Sequence, residues 1–230
     1  MGRFVLLAAL ITALPLALLQ GGWLVIPDRW DPRTPLDVAA MPNLLTRFKL
    51  AKLSGDAQLC QQVLATTPFD FARMPDRSTG TACGFSNAVR IDRTTAAIGT
   101  PFSLTCRSAV SLALWEQHVL QPTAQRYFGQ PVARIEHFGS YACRNIYGRP
   151  NATRSQHATA EAFDVAGFVL GDGRRLRVIK DWSGDGAAAG FLREVRTGAC
   201  EFFDGVLSPD YNAAHRDHFH LDRGRYRMCR

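Results

Sequence analysis

Near the end of the chain the sequence reads HRDHFHLD, residues 215–222, placing three of the six histidines within six positions. Side chains on a strand alternate between faces, so His218 and His220 share one face while Phe219 points to the other. Two imidazoles do not complete a catalytic zinc site, which takes three nitrogen or oxygen ligands and leaves a fourth position for water. A further ligand must come from elsewhere. The richest source is SQHATAEAFDV at 155–165, where His157 precedes Asp164 by seven residues. With 162–170 as a strand, Asp164 lies near its start between Ala162 and Ala166, whose small side chains leave room for an ion. Phe163 and Val165 then turn into the core. An aspartate among small apolar neighbours is costly to bury unless paired or bound to a cation; a solvated strand-end carboxylate is the other reading.

Other reactive residue types fit worse. His118 and His137 fall within a helix and a strand and read as structural or surface residues, while His215 precedes the terminal strand and either supports the site from behind or is exposed. Glu161 faces away from Asp164 on a strand-like continuation and reads as solvated. Ser140 in FGSYA is not a nucleophile elbow. GDGRR at 171–175 reads as a hairpin turn, and the surroundings of Asp172 and Asp185 lack the dense oxygen ligands of a calcium loop.

The elements that must position these residues are readable in part. Ala57, Cys60, Val63 and Leu64 fall on one helical face, with Asp56 placed to cap the start. SNAVRID, after a Cys83-Gly84 turn, reads as a strand. Residues 103–121 carry the clearest helical spacing, ended by Pro122, and PVARIEHFGSYAC follows as strand. Two β-rich runs flank Gly171-Asp172-Gly173 as a hairpin. A second helix is expected at 187–197, stopped by Gly198, and GVLSP and HFHLD read as short strands. Hairpin-linked strands with helices between them predict an α+β domain, a mainly antiparallel sheet with flanking helices.

At 230 residues and 47% hydrophobic content the chain can bury one well-packed core. Residues 4–27 have Gln20 as their only strongly polar side chain and match the span of a bilayer's hydrocarbon layer. A cleaved signal peptide begins similarly, but LLQGG is a poor cleavage site. Residues 1–27 are therefore read as a transmembrane anchor or signal segment, with an uncleaved inner-membrane anchor, amino terminus inside, favoured of the two. The domain then lies on the periplasmic or extracytoplasmic side. Residues 28–55, with Pro32, Pro35 and Pro42, read as a tether and lead-in, and 56–230 as the folded domain. Six cysteines without a C-x-x-C suit three disulfides in an oxidising compartment; fifteen pairings are possible, with neighbours along the chain as the simplest. The net charge of +7 comes from scattered arginines without an aromatic-interleaved stripe, so no nucleic-acid partner is expected. An anionic envelope surface or wall polymer fits an exported basic protein.

Ser155, His157, Ala160, Ala162 and Asp164, followed by His218-x-His220, resemble the first and last motifs of zinc peptidases that include D-alanyl-D-alanine carboxypeptidases and wall endopeptidases. With SYACR at 140–144 and PDYNAAHRDHFHLD at 209–222, residues 56–230 are similar to the bacterial extensin-like C-terminal domain family. The resemblance implies a single disulfide-bridged domain in which His157, Asp164 and His220 hold Zn2+. Ala160 stands where the family usually has Gly, and Asp217 stands where the carboxypeptidases have Glu, with His218 added. His218 is ranked ahead of Asp217 as the base that takes a proton from water and passes it to the leaving amine, because imidazole titrates near neutrality. Arg144, beside Cys143, is the candidate for binding a substrate carboxylate. The expectation is zinc-dependent hydrolysis of peptide bonds in peptidoglycan stem peptides or cross-links. The alternative is a non-hydrolytic zinc-containing wall-binding or scaffold protein, and a zinc-free secreted domain is a third reading.

Overall fold

The computed structural model describes residues 13, 21–22 and 25–230. Among them no helix is long and apolar enough to cross a membrane; most of the expected anchor, residues 1–27, lies outside the described residues. Two compact units divide the chain, Met1–Pro35 and Leu36–Arg230. In the first, a 3-10 turn at Asp28–Trp30 is followed by an Arg33–Asp31 ion pair at 2.8 Å.

In the second, the elements in order are α1 (Thr46–Lys52), α2 (Ala57–Leu64), β1 (Asp70–Arg73), β2 (Arg77–Gly80), β3 (Cys83–Phe85), β4 (Ala88–Arg93) and β5 (Phe102–Thr105). Then come α3 (Cys106–Trp115), α4 (Gln121–Phe128), β6 (Val132–Gly139), β7 (Ala162–Leu170), β8 (Arg175–Arg177) and α5 (Val178–Asp181). The last are α6 (Ala187–Ala199), β9 (Gly205–Leu207), β10 (Phe219–Asp222) and β11 (Met228–Cys229). The main sheet runs β11-β9-β10-β7-β6 with β8 also on β7, antiparallel except for β11 against β9. Two smaller antiparallel sheets, β1-β4-β5 and β2-β3, complete the α+β fold.

Residues 36–55, read from the sequence as the end of a lead-in, supply Leu36, Val38, Leu50 and Leu53 to the core. Asp56 caps α2 by accepting from the Leu59 amide at 2.8 Å. Cys83 and Gly84, expected in a turn, lie in β3. The expected helix at 103–121 begins three residues later, because Phe102–Thr105 pairs with β4. Nor does it end at Pro122: a π-turn at Glu116–Leu120 shifts the hydrogen-bond ladder, so Pro122 falls in the first turn of α4, where its missing N–H is not needed. Gly129, at φ 62°, closes that helix. Gly198 is likewise no stop but a contact point in α6, where a Cβ would meet Val119 Cγ1 at 2.4 Å.

Strand β7 separates the core from the site. Phe163 and Val165 are fully buried, and Phe163 stacks on Phe102 at 4.2 Å between ring centres. Three bulges interrupt its pairing with β6: Val132 faces Leu170 and Arg134 faces Val169, leaving Ala133 over; Glu136 faces Gly167 and His137 faces Val165, leaving Ala166 over; and Gly139 faces Asp164, leaving Phe138 over. Bulges of this kind re-aim side chains near sites, and here the inward residues change from Phe163 and Val165 to Phe168 and Leu170. The disulfides are Cys60–Cys106, Cys83–Cys143 and Cys200–Cys229. Neighbour pairing therefore holds only for the last, because α2 packs against α3 rather than against β3.

Candidate metal centre

Residues far apart in sequence meet at one end of β7. His157 arrives on a 3-10 turn, Gln156–Thr159, whose Ser155 cap accepts from the His157 amide. The turn ends at Ala160 in the left-handed region, φ 54°, which explains why a glycine suits this position. Asp164 lies on β7, and directly opposite it on β10 is His220. His157 Nε2 is 3.1 Å from His220 Nδ1 and 3.2 Å from Asp164 Oδ2, and His220 Nδ1 is 3.0 Å from Asp164 Oδ1. All three side chains are buried. The sequence-predicted trio thus converges.

The outward nitrogens decide what the inward ones present. His157 Nδ1 faces the Ser140 carbonyl, and His220 Nε2 is 2.9 Å from Asp222 Oδ2. Both neighbours only accept, so these nitrogens carry the protons. In the neutral rings Nε2 of His157 and Nδ1 of His220 then offer lone pairs toward each other and toward a carboxylate. Three electron-pair donors this close repel unless a cation lies among them, and outer acceptors of this kind orient metal-bound imidazoles. A proton answers the same demand. Burial alone would lower the His220 pKa, but hydrogen bonds to Asp164 and Asp222 outweigh it and raise it to about 9. Burial pushes Asp164 up, and hydrogen bonds from His157 and His220 with their positive charge reverse this, holding it well below the ordinary carboxylate range. The cluster is therefore built to hold positive charge, with donors of the type zinc takes.

His218 stands one residue before β10. Its Nδ1 is 2.8 Å from Asp217 Oδ1 and its Nε2 is 3.6 Å from Asp164 Oδ1. Asp217 thus holds the imidazole from behind and does not itself reach the trio. His215 is buried, not exposed: its Nδ1 meets Asn212 Oδ1 at 2.8 Å, and its ring lies 5.3 Å from that of His218. Burial first, then the charges of His220 and His218, lower its pKa to about 4, so it stays neutral. Arg144 is exposed and lines the same cavity, of about 260 Å³, with Tyr147, Arg154, Tyr211, Arg225 and Tyr226.

Elsewhere, His118 bonds the Val38 carbonyl, and His137 bonds that of Ile98 and packs beside the stacked rings of Phe102 and Phe163, so both are held by the scaffold. Glu161 is not solvated as expected. It is half-buried against Arg107 at 2.9 Å, beside a hollow of about 740 Å³ whose lining holds no imidazole. Ser140 gives its hydroxyl to the Ser103 carbonyl at 2.6 Å. Asp222 escaped the sequence reading, although its spacing of two from His220 on a strand places both on one face. Gly205 and Gly224 make its niche, since a Cβ on either would fall 2.2 Å or 2.8 Å from its carboxylate oxygens.

The family model described as extensin-like protein C-terminus matches residues 58–230. No curated protein and no solved structure matches the chain at a significant level.

Proposed function

The chain belongs to the extensin-like protein C-terminus family, and we propose that it is a zinc-dependent hydrolase of peptide bonds in peptidoglycan stem peptides or their cross-links, exported and held at the inner membrane by its N-terminal segment. The observation that carries this reading is the convergence of His157 Nε2, His220 Nδ1 and the Asp164 carboxylate, with both outward ring nitrogens already committed to acceptors. These three would hold the ion. When bound, zinc supplies Lewis acidity, bringing the ionisation of water toward neutral pH and polarising a carbonyl.

The chain's own residues supply the rest. Asp217 accepts from His218 Nδ1, so Nε2 presents its lone pair on the side of Asp164. From there it takes a proton from the attacking water and returns it to the leaving amine as the C–N bond breaks. Asp217 acts as a positioning residue. Arg144 offers a guanidinium at the cavity wall for a free carboxylate of the substrate. His215, neutral and buried, packs beside the His218 ring.

Purified full-length protein loaded with zinc should release new amines from muropeptides, and His218→Ala should abolish release while elemental analysis still finds zinc. Zinc present with no product from any muropeptide would favour the non-hydrolytic wall-binding alternative. Absence of zinc after purification and reloading would remove both.

A further inference from the structure

His218 stands between two hollows. The cavity on the Arg144 side has been described; on the other side, across the Asp217–His218 pair, is a depression of about 770 Å³. Its lining includes Phe138, Ala166, Arg177, Ile179 and Asp217. The two approach each other on β7 and at the start of β10, although none of the described residues lines both. Asp164 and His218 line the first; Asp217, next to His218, and Ala166, two residues beyond Asp164, line the second.

Two of the three residues left over by the bulges, Ala166 and Phe138, border this second hollow. The Phe138 ring meets the His218 ring edge-on at 5.6 Å and is 61% exposed, and Ile179 is 59% exposed. Large apolar side chains left open beside a candidate base, with the Arg177 guanidinium near them, match a chain with aliphatic and carboxylate groups. The size of the hollow lies in the range of ligand sites. It is far more than one alanine-sized terminal residue needs.

We infer that the two hollows are the two halves of one cleft, which takes a cross-linked stem peptide with chain continuing on both sides of the His218 imidazole. The bond presented to the donor cluster is then internal. Hydrolysis there adds water across the C–N bond, with oxygen going to the carbonyl carbon and a proton to the departing amine. The inference rests on the hydrolase reading for its chemistry, but not for its binding prediction.

The test uses the zinc-loaded full chain with two ligands, a cross-linked muropeptide dimer and an uncross-linked monomer. Hydrogen exchange is read over 134–139 and 175–179 on one side and 144–154 and 224–228 on the other, with products read by mass. The dimer should protect both sides and be cut at the cross-link. Ile179→Asp, at an exposed position, should raise KM for the dimer about tenfold, the equivalent of losing ~1.4 kcal/mol of contact. Protection confined to the Arg144 side, release of a C-terminal residue alone, or an unchanged KM in Ile179→Asp would overturn the two-sided cleft. Protection on both sides without product would retain the cleft and remove the hydrolase reading.

Discussion

Two buried carboxyl groups in this molecule have opposite fates. Asp164, 6% exposed, and Glu116, fully buried in the π-turn, both lose most of their hydration. Around Glu116 the neighbours are the amide and hydroxyl of Thr95, both on Oε2, and Oε1 has no partner. Burial dominates and raises its pKa to about 7. Around Asp164 two imidazoles converge, and its pKa falls despite the burial. Burial by itself keeps a carboxyl group neutral. The difference lies in the partners: two imidazoles hydrogen-bond to Asp164 and carry charge of the opposite sign, whereas Glu116 has only the neutral donors of the Thr94–Thr95 segment.

The strongest way to break the contrast is Asp164→Ala. It leaves two facing lone pairs without their carboxylate, and metal content by elemental analysis should fall to background with loss of amine release. Full metal occupancy in this variant would sink the centre as assigned.

Glu116→Gln tests the other side. In the folded chain this carboxyl group keeps its proton up to about pH 7, whereas the unfolded chain releases it near the ordinary 4.5. The stability this group contributes is therefore fully present below pH 4.5 and is lost as pH rises from 4.5 to 7, by roughly 3 kcal/mol in total. The Gln variant should lack that component. Denaturant unfolding across pH 4.5–8 measures the difference between the two proteins.

A finer cut is Asp222→Asn, which keeps the shape but not the charge behind His220. Zinc affinity should fall about 10- to 100-fold, the usual loss when an outer carboxylate is removed, as read by competition with a chelator. An unchanged affinity would mean that Asp222 serves only the fold.

Ala160→Gly should have the smallest effect. Glycine relieves roughly 1 kcal/mol of left-handed backbone cost but gives up a methyl group buried against Phe85 and Ala88, worth about 0.8 kcal/mol. Thermal unfolding should place the variant within ~1 kcal/mol of the parent. A larger loss would show that the 155–160 turn depends on packing more than on its dihedral angles.

Local chemistry made much of this legible. The Asp56 cap, the stripe of α2, the hairpin at Gly171–Gly173 and the alternation around Asp164 follow from residues within a turn or two of each other, so they could be read from the chain. Asp222 was within reach by the same alternation. The π-turn that carries the helix past Pro122 was not, because helical spacing looks the same on both sides of it. The three bulges in the β6–β7 pairing depend on which strand lies alongside, and no period within one strand records that.

From the sequence alone, then, come the residue types able to hold a cation, the α+β class and the even set of cysteines. Tertiary structure decided which cysteines pair, that Asp217 supports His218, that Asp222 and the Ser140 carbonyl fix the two imidazoles, and that a second hollow opens beside the site. The physical reason is range. Propensity, capping and alternation act over a few residues, whereas the donor cluster is made by groups 63 positions apart, brought together only when β7 and β10 bury their common apolar face.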